Sequence, residues 1–456
     1  MDKQKILANY HSFTAQQWFS FESQGIVTLE EVRTDLAKAN LALDANVRKD
    51  WQTLRDQRIL EDDAAWRQIL EKKAGDVKLT ISDYTDYIAK FPKGEHREEA
   101  DMAIAAIIAE EQFEKEERAE KLKNIKEDRN CCRPETILQD IKAGIISEDD
   151  LINHCNIPRI IVDRTKGFRQ SQIEMGETPT SIPDGFTEVY FWGVINSGKT
   201  CALSAILNTA ESERYLKTGF GPGLSYLNDL KNIFREDIGF LPEGTRAENT
   251  QYLPFTLQKD TDKFPRSVSL IELSGEVFQC FVRINEGKEI SDNLKSTFNT
   301  LTSYLKGKNR KIHFFFIDYN PEAISAHTRT QSDYMTEAAK WIESRHIFAN
   351  TTDAIYLVIT KSDMIEGYYD TDKTKLSNNI NSFLDSKFPS FRNNLKQICI
   401  NESINNKNYE IIPFSIGDVY FTRICHINRE PSKMIINRLF ERIQPNKKSL
   451  LDLVIK

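Results

Sequence analysis

The sequence predicts an α/β domain with a mostly parallel sheet, preceded by an all-α domain. After residue 185, short apolar runs typical of buried strands alternate with segments of helical periodicity. Up to about residue 160 the chain has few glycines or prolines and no strand-like alternation. We therefore predict a helical domain over 1–163, a linker over 164–185 and an α/β domain over 186–456.

A phosphate-binding pattern lies between the first strand and the first helix of the α/β domain. Residues 193–200, GVINSGKT, match GxxxxGK[ST], and the bulky apolar run 189–192 precedes them. Glycines at both ends let successive N–H groups face phosphate oxygens, with Lys199 reaching the β and γ phosphates and the Thr200 hydroxyl binding Mg²⁺. The predicted nucleotide-binding residues here are Gly193, Asn196, Ser197, Gly198, Lys199, Thr200 and Cys201. A glycine turn that binds nothing is the alternative.

A second strand, 268–272, ends in an acidic residue and is soon followed by a glycine. Glu272 is predicted to face the metal, and the Gly275 N–H to sense a γ-phosphate. Glutamate is one methylene longer than the usual aspartate, so a backbone shift or a bridging water is expected to absorb the difference. An ordinary strand that ends in a polar turn is the alternative.

Two later strands end in residues suited to binding a base. The run 353–359 leads directly into Thr360, Lys361 and Asp363, at the edge where open parallel sheets bind ligands. Asp363 can accept two hydrogen bonds from the N1 and N2 donors of guanine, which adenine lacks, while the Lys361 stem lies along the base.

The strand 409–414 runs into Ser415 and Ile416, whose backbone N–H groups are predicted to meet the guanine O6. An amphipathic helix over 431–443 is predicted to follow it. Another strand, 312–317, ends at Asp318, to which we assign no chemistry.

With these four motifs in order, the chain from about residue 185 resembles a P-loop GTPase domain of the translation-factor and Ras-like class. By this resemblance 193–200 is the phosphate loop, 272–275 the DxxG motif, 360–363 the [NT]KxD motif and 415–417 the SAK-like motif. It implies a three-layer domain that binds GTP or GDP with Mg²⁺, and a bacterial lineage.

The residues that would take part in catalysis match the resembled family less well than the nucleotide-binding motifs do. The family's Mg²⁺-binding switch threonine is assigned to Thr245, with Thr250 as the competitor, and the flanking Arg246 is either a charge-stabilising finger or a solvated loop arginine. Ras-like members orient the attacking water with a glutamine where this chain has Glu276. We therefore predict slow intrinsic hydrolysis, unless a partner or a second copy completes the site.

Composition excludes several classes of function. The chain has 456 residues, a formal net charge of -7 and a pI near 5.7, which argue against a general nucleic-acid or anionic-membrane binder. Its seven cysteines show no CxxC spacing and its seven histidines no metal-ligand cluster. With no membrane-spanning or signal segment recognised, a cytoplasmic protein is predicted.

The N-terminal part is predicted to bind a protein partner. The block 84–107 has the small and aromatic residues of a close helix pair, broken at Pro92 and Gly94, and weakly resembles a tetratricopeptide-type unit. Segments 24–32 and 143–151 share a glycine followed by a capping-box pattern, from either a repeat or common cap chemistry. A homodimer is possible.

The sequence therefore predicts a GTP-binding switch whose nucleotide state is coupled to a partner through the helical domain. Two alternatives stay open: a P-loop ATPase, in which Asp363 only forms a strand-end turn, and a scaffold that binds GTP or GDP without useful turnover. A dynamin-like protein is less expected, since little sequence follows the last predicted helix.

Overall fold

The computed structural model describes residues 2–75, 77–169, 173, 179–218, 223–242, 250–320 and 329–445. Contacts between Cα atoms divide the chain into two compact units, Met1–Lys121 and Leu122–Lys456. None of the helices in these described ranges is both long and apolar enough to cross a bilayer.

The described elements of the first unit are all helical. They are α1 (Lys3–Ala8), a 3₁₀ turn (Tyr10–Ser12), α2 (Ala15–Ser23), α3 (Leu29–Lys38), α4 (Ala45–Ala74), α5 (Ile81–Lys90) and α6 (Arg97–Glu127), which continues into the second unit. A first core contains Trp18 and Trp51, stacked with ring centroids 5.3 Å apart. Such paired aromatic rings bury much apolar surface in a small helical unit.

The predicted helix pair around residues 84–107 forms the second core of this unit. Tyr84 and Tyr87 of α5 share that core with Ala100 of α6. The buried Asp62 accepts hydrogen bonds from the Tyr87 hydroxyl and, at 2.8 Å, from the Glu95 N–H, so its charge is well partnered. The tetratricopeptide resemblance itself stays a prediction.

The second unit combines helices with strands. Its helices are α7 (Pro134–Lys142), α8 (Glu148–Asn153), α9 (Arg159–Lys166), α10 (Lys199–Ser212), α11 (Leu224–Asn232), α12 (Val277–Asn285), α13 (Asp292–Leu305), α14 (Gln331–Ser344), α15 (Thr374–Lys387), α16 (Pro389–Asn401) and α17 (Glu430–Arg442). Its strands are β1 (Thr187–Trp192), β2 (Leu216–Lys217), β3 (Ile238–Phe240), β4 (Gln251–Leu257), β5 (Arg266–Glu272), β6 (Lys311–Asp318), β7 (Thr352–Thr360), β8 (Glu410–Pro413), β9 (Gly417–Tyr420) and β10 (Ile424–Ile427). Short 3₁₀ turns occur at Ser362–Met364 and Ile404–Lys407.

Seven strands form the central sheet in the order β2-β4-β5-β1-β6-β7-β8. The pairs among β5, β1, β6, β7 and β8 are parallel, while β4 is antiparallel to both β5 and β2. One apolar core joins the sheet to α12–α16, and the other joins the opposite face to α10, α11 and α17. The predicted mixed fold with a mostly parallel sheet between helical layers is therefore present.

A second sheet of three antiparallel strands, β3-β10-β9, packs against α7–α9. The buried Ile238 and Ile424 of this sheet, with Phe421 in the turn between β9 and β10, share a core with Ile137 of α7 and Ile161 of α9. Helices α7 and α8 and most of α9 lie in the range that the sequence predicts as N-terminal domain, yet they pack within the second unit. The reason is a long-range apolar contact that no local pattern encodes. The domain bounds themselves stay a prediction.

Candidate functional site

Those predicted site residues that lie in the described ranges converge on the carboxyl edge of the central sheet. The parallel strands β1, β5, β6 and β7 end there, and each is followed by one of the segments singled out in the sequence. Strand order changes direction around β1, since β5 lies on one side of it and β6 on the other. Open α/β sheets bind ligands in the crevice at such a point.

The loop between β1 and α10 needs both of its glycines. A Cβ at Gly193 would lie 2.5 Å from the Ser197 Oγ and 3.0 Å from the Phe316 carbonyl oxygen. Gly198, which caps α10, has a φ of +83°, and a Cβ there would lie 3.3 Å from Thr360. A side chain at Gly193 would clash with its neighbours, and one at Gly198 would strain the backbone. The tight turn therefore depends on glycine at both positions. Of the other predicted loop residues, Asn196 is exposed, Ser197 is buried and Cys201 lies in the first turn of α10.

Lys199 is folded back into this loop. Its Nζ donates hydrogen bonds to the carbonyl oxygens of Gly193 at 2.6 Å and Val194 at 2.9 Å, and the residue is only 7% exposed. Burial lowers the pKa of Lys199 to about 8, although the nearby Glu272 carboxylate acts in the opposite direction. The loop therefore holds a buried ammonium group with backbone partners that a phosphate can replace.

Glu272 at the end of β5 accepts two short hydrogen bonds. The Thr200 hydroxyl donates to one carboxylate oxygen at 2.5 Å, and the Tyr226 hydroxyl of α11 donates to the other at 2.6 Å. Glu272 is 5% exposed and Tyr226 is 2% exposed. The predicted metal-side carboxylate thus reaches the predicted metal-binding hydroxyl directly, despite its extra methylene. A bridging water is not needed for this contact.

Gly275 lies against the phosphate loop. A Cβ at this position would lie 2.3 Å from the Ile195 backbone nitrogen, so the strand end and the loop approach as closely as glycine permits. The next residue, Glu276, is half-buried, and its backbone N–H donates to the Ser274 hydroxyl at 3.2 Å. Gly275, predicted to sense the γ-phosphate, therefore borders the loop, and Glu276, predicted to contact the attacking water, directly follows it in the chain.

The segment after β7 is fastened to its neighbours on both sides. The Thr360 hydroxyl donates to the Ser197 carbonyl oxygen at 3.0 Å, which ties the strand end to the phosphate loop. The Ser362 N–H donates to the Phe414 carbonyl oxygen at 3.2 Å, which ties it to the end of β8. Asp363, directly after Ser362, is half-buried. Within the described ranges, no protein donor hydrogen-bonds its carboxylate, so both oxygens can accept bonds from a ligand.

Asp318, left without a role in the sequence, holds Lys361. A carboxylate oxygen of Asp318 lies 2.7 Å from the Lys361 Nζ. The Asp318 side chain is only 1% exposed. Burial raises the pKa of Asp318, while the lysine charge opposes that shift. The lysine ammonium group is thereby oriented, while the Lys361 side chain as a whole stays 44% exposed. The ion pair fixes the residue predicted to lie along the base.

Ser415 and Ile416 lie between β8 and β9, beside an aromatic side chain. The buried Ser415 hydroxyl accepts a hydrogen bond from the Gly417 N–H at 3.2 Å and also bonds the Tyr368 side chain. Burial and the nearby Asp363 charge raise the pKa of Tyr368 to about 12, so this phenol is a neutral hydrogen-bonding group. Tyr368 therefore belongs to the base end of the candidate site.

The candidate switch residues are placed only in part. Thr245 and Arg246 lie outside the described residues, whereas Thr250, the competitor, is 2% exposed and directly precedes β4. Within the described ranges, no group of three or more His, Cys, Asp or Glu side chains could hold a metal ion. The Thr200 hydroxyl and the Glu272 carboxylate are nevertheless oxygen ligands of the kind Mg²⁺ takes when phosphates and water complete its shell.

No protein-family model and no curated protein matches the chain. Among solved structures, the GDP-bound RocCORdC of Methanosarcina barkeri Roco2 is 13% identical, with a TM-score of 0.24, over 59% of this chain and 52% of that one. The S. cerevisiae Ski7 GTPase-like domain matches 52% of this chain with a TM-score of 0.26 in two structures. The GTP complex is 16% identical to this chain, and the match covers 43% of the solved chain. The complex with GDP and inorganic phosphate is 18% identical, and the match covers 44% of the solved chain. The match spans about half of each solved chain. At these TM-scores the likeness carries no argument about function.

Two site residues, Tyr226 and Tyr368, were not predicted from the sequence, and neither was the ion pair that Asp318 forms with Lys361. Each contributes through a contact between segments far apart in the chain, with separations of 46 residues for Tyr226 and 43 for Asp318. A weak signal existed for Tyr226, since the glycine-rich stretch ending at Gly223 precedes it. Tyr368 follows the base motif by only five positions, but an aromatic residue there carries no motif of its own.

Proposed function

We propose that this protein is a GTP-binding molecular switch with slow Mg²⁺-dependent hydrolysis of GTP to GDP. The observation that carries the proposal is that one sheet edge holds a buried lysine in a glycine loop, a hydroxyl bonded to a carboxylate, and a half-buried aspartate free to accept two hydrogen bonds. Lys199, Thr200 and Glu272 serve the phosphate end, and Asp363 serves the base end. Ser197 and Thr360 join the two ends by a hydrogen bond.

At the phosphate end, the proposed roles follow from the hydrogen-bonding and charged groups of the loop and of the end of β5. The loop amides and Lys199 bind the β and γ phosphates, and Thr200 and Glu272 hold Mg²⁺, with Thr245 proposed as a further ligand in the triphosphate state. Bound Mg²⁺ neutralises charge on the phosphate oxygens. The Gly275 N–H lies where a strand end contacts the loop and is proposed to sense the γ-phosphate.

Slow hydrolysis is proposed because Glu276 stands where a neutral water-orienting group serves better. Its negative charge opposes the phosphates, so Glu276→Gln is expected to raise the single-turnover rate of GTP hydrolysis by about tenfold. Glu276→Ala should not show this increase. The rate is measured by rapid mixing of protein with radiolabelled GTP and Mg²⁺.

If neither substitution changes the rate, Glu276 has no part in the mechanism. If the wild-type protein hydrolyses no GTP within hours while binding it tightly, the scaffold alternative replaces the slow enzyme. Both Glu272 and Glu276 depart from the resembled family at positions that affect turnover, and this departure favours the scaffold as the second candidate.

The second sheet offers a route from the nucleotide to helices α7–α9. Strand β9 begins directly after Ile416, and β3 leads toward the segment that contains Thr245. Arg129, just after α6, pairs with Asp418 of β9 at 2.9 Å and lies over the Tyr420 ring at 4.5 Å. Ile416 thus adjoins the sheet on which these helices pack, and the segment that contains Thr245 follows β3 in the sequence. We propose that α7–α9 read out the nucleotide state for a protein partner.

This coupling predicts a difference in hydrogen exchange. Backbone N–H groups of α7–α9 should exchange about tenfold more slowly with a non-hydrolysable GTP analogue than with GDP, because an ordered switch segment would hold β3 in the second sheet. Helix α13 serves as the internal control, because it packs on the central sheet in the core with α12 and α14–α16 and not on the second sheet. Equal exchange of α7–α9 in the two complexes would contradict the coupling.

A further inference from the structure

Glu272 is held by a tyrosine that lies outside the four motifs. One of its carboxylate oxygens accepts from the Thr200 hydroxyl at 2.5 Å and the other from the Tyr226 hydroxyl at 2.6 Å. Both distances are within the range of charge-assisted O–H···O⁻ bonds, which are about twice as strong as neutral ones. The phenol therefore fixes the orientation of the carboxylate that faces the predicted magnesium ligand.

The hydrogen bond from Tyr226 restricts the conformational freedom that the longer side chain of glutamate adds. Compared with aspartate, Glu272 has one more rotatable bond, so an unrestrained carboxylate would sample several positions beside Thr200. A second hydrogen bond on the far oxygen removes that freedom before a metal binds. The longer acidic residue can then act as a preorganised metal-side group.

The helix that carries Tyr226 is itself fixed in place. Gly223 caps α11 with a φ of +82°, and a Cβ there would lie 2.0 Å from the Tyr252 carbonyl oxygen. Leu227 and Leu230, on the same helix, are fully buried in the core shared with α10. Tyr226 thus approaches Glu272 from a rigid element, which is what a positioning group requires.

We infer that Tyr226 is a positioning residue for the magnesium site, acting through Glu272 to orient its carboxylate toward Thr200 and the metal. The inference rests on the proposed function, because it assumes that the site binds a nucleotide with Mg²⁺. It extends that function to the inserted helix α11, which none of the four motifs includes. It also accounts for a glutamate at a position where the resembled family has aspartate.

The test is the Mg²⁺ dependence of nucleotide release in Tyr226→Phe. The full-length protein is loaded with a fluorescent GDP analogue, and its release is timed over a series of Mg²⁺ concentrations. Tyr226→Phe should raise the Mg²⁺ concentration that gives half-maximal slowing by about tenfold, because the carboxylate loses its orientation. Release in excess EDTA should be unchanged. The matched control is Tyr252→Phe, which removes another buried hydroxyl, 3.2 Å from the Ser269 hydroxyl.

A double-mutant cycle separates positioning from general stability. Tyr226→Phe should have a much smaller effect on the Mg²⁺ requirement in a Glu272→Ala background, which removes both acceptor oxygens of that side chain, than in the wild-type background. Equal effects in both backgrounds, or an unchanged Mg²⁺ requirement in Tyr226→Phe, would overturn the inference while leaving the proposed function intact. If the wild-type protein binds GDP but its release ignores Mg²⁺, the magnesium site and this inference fail together. If it binds no GDP, the proposed function fails.

Discussion

The Asp363→Asn variant is expected to bind GDP and GTP at least a hundredfold more weakly and to prefer xanthosine nucleotides. The half-buried Asp363 carboxylate is proposed to accept bonds from guanine N1 and N2. Losing two charge-assisted hydrogen bonds costs roughly 3 kcal/mol or more, which is about a hundredfold in affinity. An amide can instead donate to the carbonyl oxygen that xanthine carries at C2.

Calorimetric titration with GDP and xanthosine diphosphate measures this change of preference. Asp370→Asn is the matched control, since Asp370 is exposed in the same loop after β7. Unchanged GDP affinity in Asp363→Asn would exclude Asp363 as a base reader and return the site to the ATPase alternative. Equal loss of both nucleotides would indicate damage to the loop rather than a change in recognition.

The Lys199→Met variant should lose nucleotide affinity by on the order of a hundredfold or more without losing its fold. Among the described residues, the buried Nζ is hydrogen-bonded only to loop oxygens, and a phosphate would take their place. Methionine fills a similar volume but carries no charge. Since burial already lowers the pKa of Lys199 to about 8, removing the ammonium also removes a desolvation cost.

Binding and thermal unfolding should therefore respond in different ways to Lys199→Met. Nucleotide affinity falls, while the unfolding temperature of the nucleotide-free protein stays the same or rises. Lys396→Met, at an exposed position on α16, should change neither. Retained affinity in Lys199→Met would show that the glycine loop does not bind phosphates through this lysine.

The strands and the phosphate loop could be predicted because their signals are local. The apolar runs at 189–192, 268–272 and 353–359 lie within β1, β5 and β7, each buried along most of its length. The capping-box patterns beginning at Thr28 and Ser147 likewise form as hydrogen-bonded boxes. In each case, neighbours in sequence determine the structure.

The supporting contacts of the site could not be predicted because they join distant segments. The Tyr226 to Glu272 bond and the Asp318 to Lys361 pair depend on the strand order, which brings β6 beside β7 and places α11 against the sheet face. The packing of α7–α9 on the second sheet has the same origin. Composition and spacing are silent on such pairings. The choice between Thr245 and Thr250 stays a prediction.

The most direct test of guanine-nucleotide binding is calorimetric titration of the purified protein with GDP, a non-hydrolysable GTP analogue and ATP in Mg²⁺ buffer. The geometry around Lys199, Glu272 and Asp363 predicts that GDP and the GTP analogue bind at one site per chain and that ATP releases no binding heat at the same concentrations. Binding of ATP with comparable affinity, or of none of the three, would contradict the account.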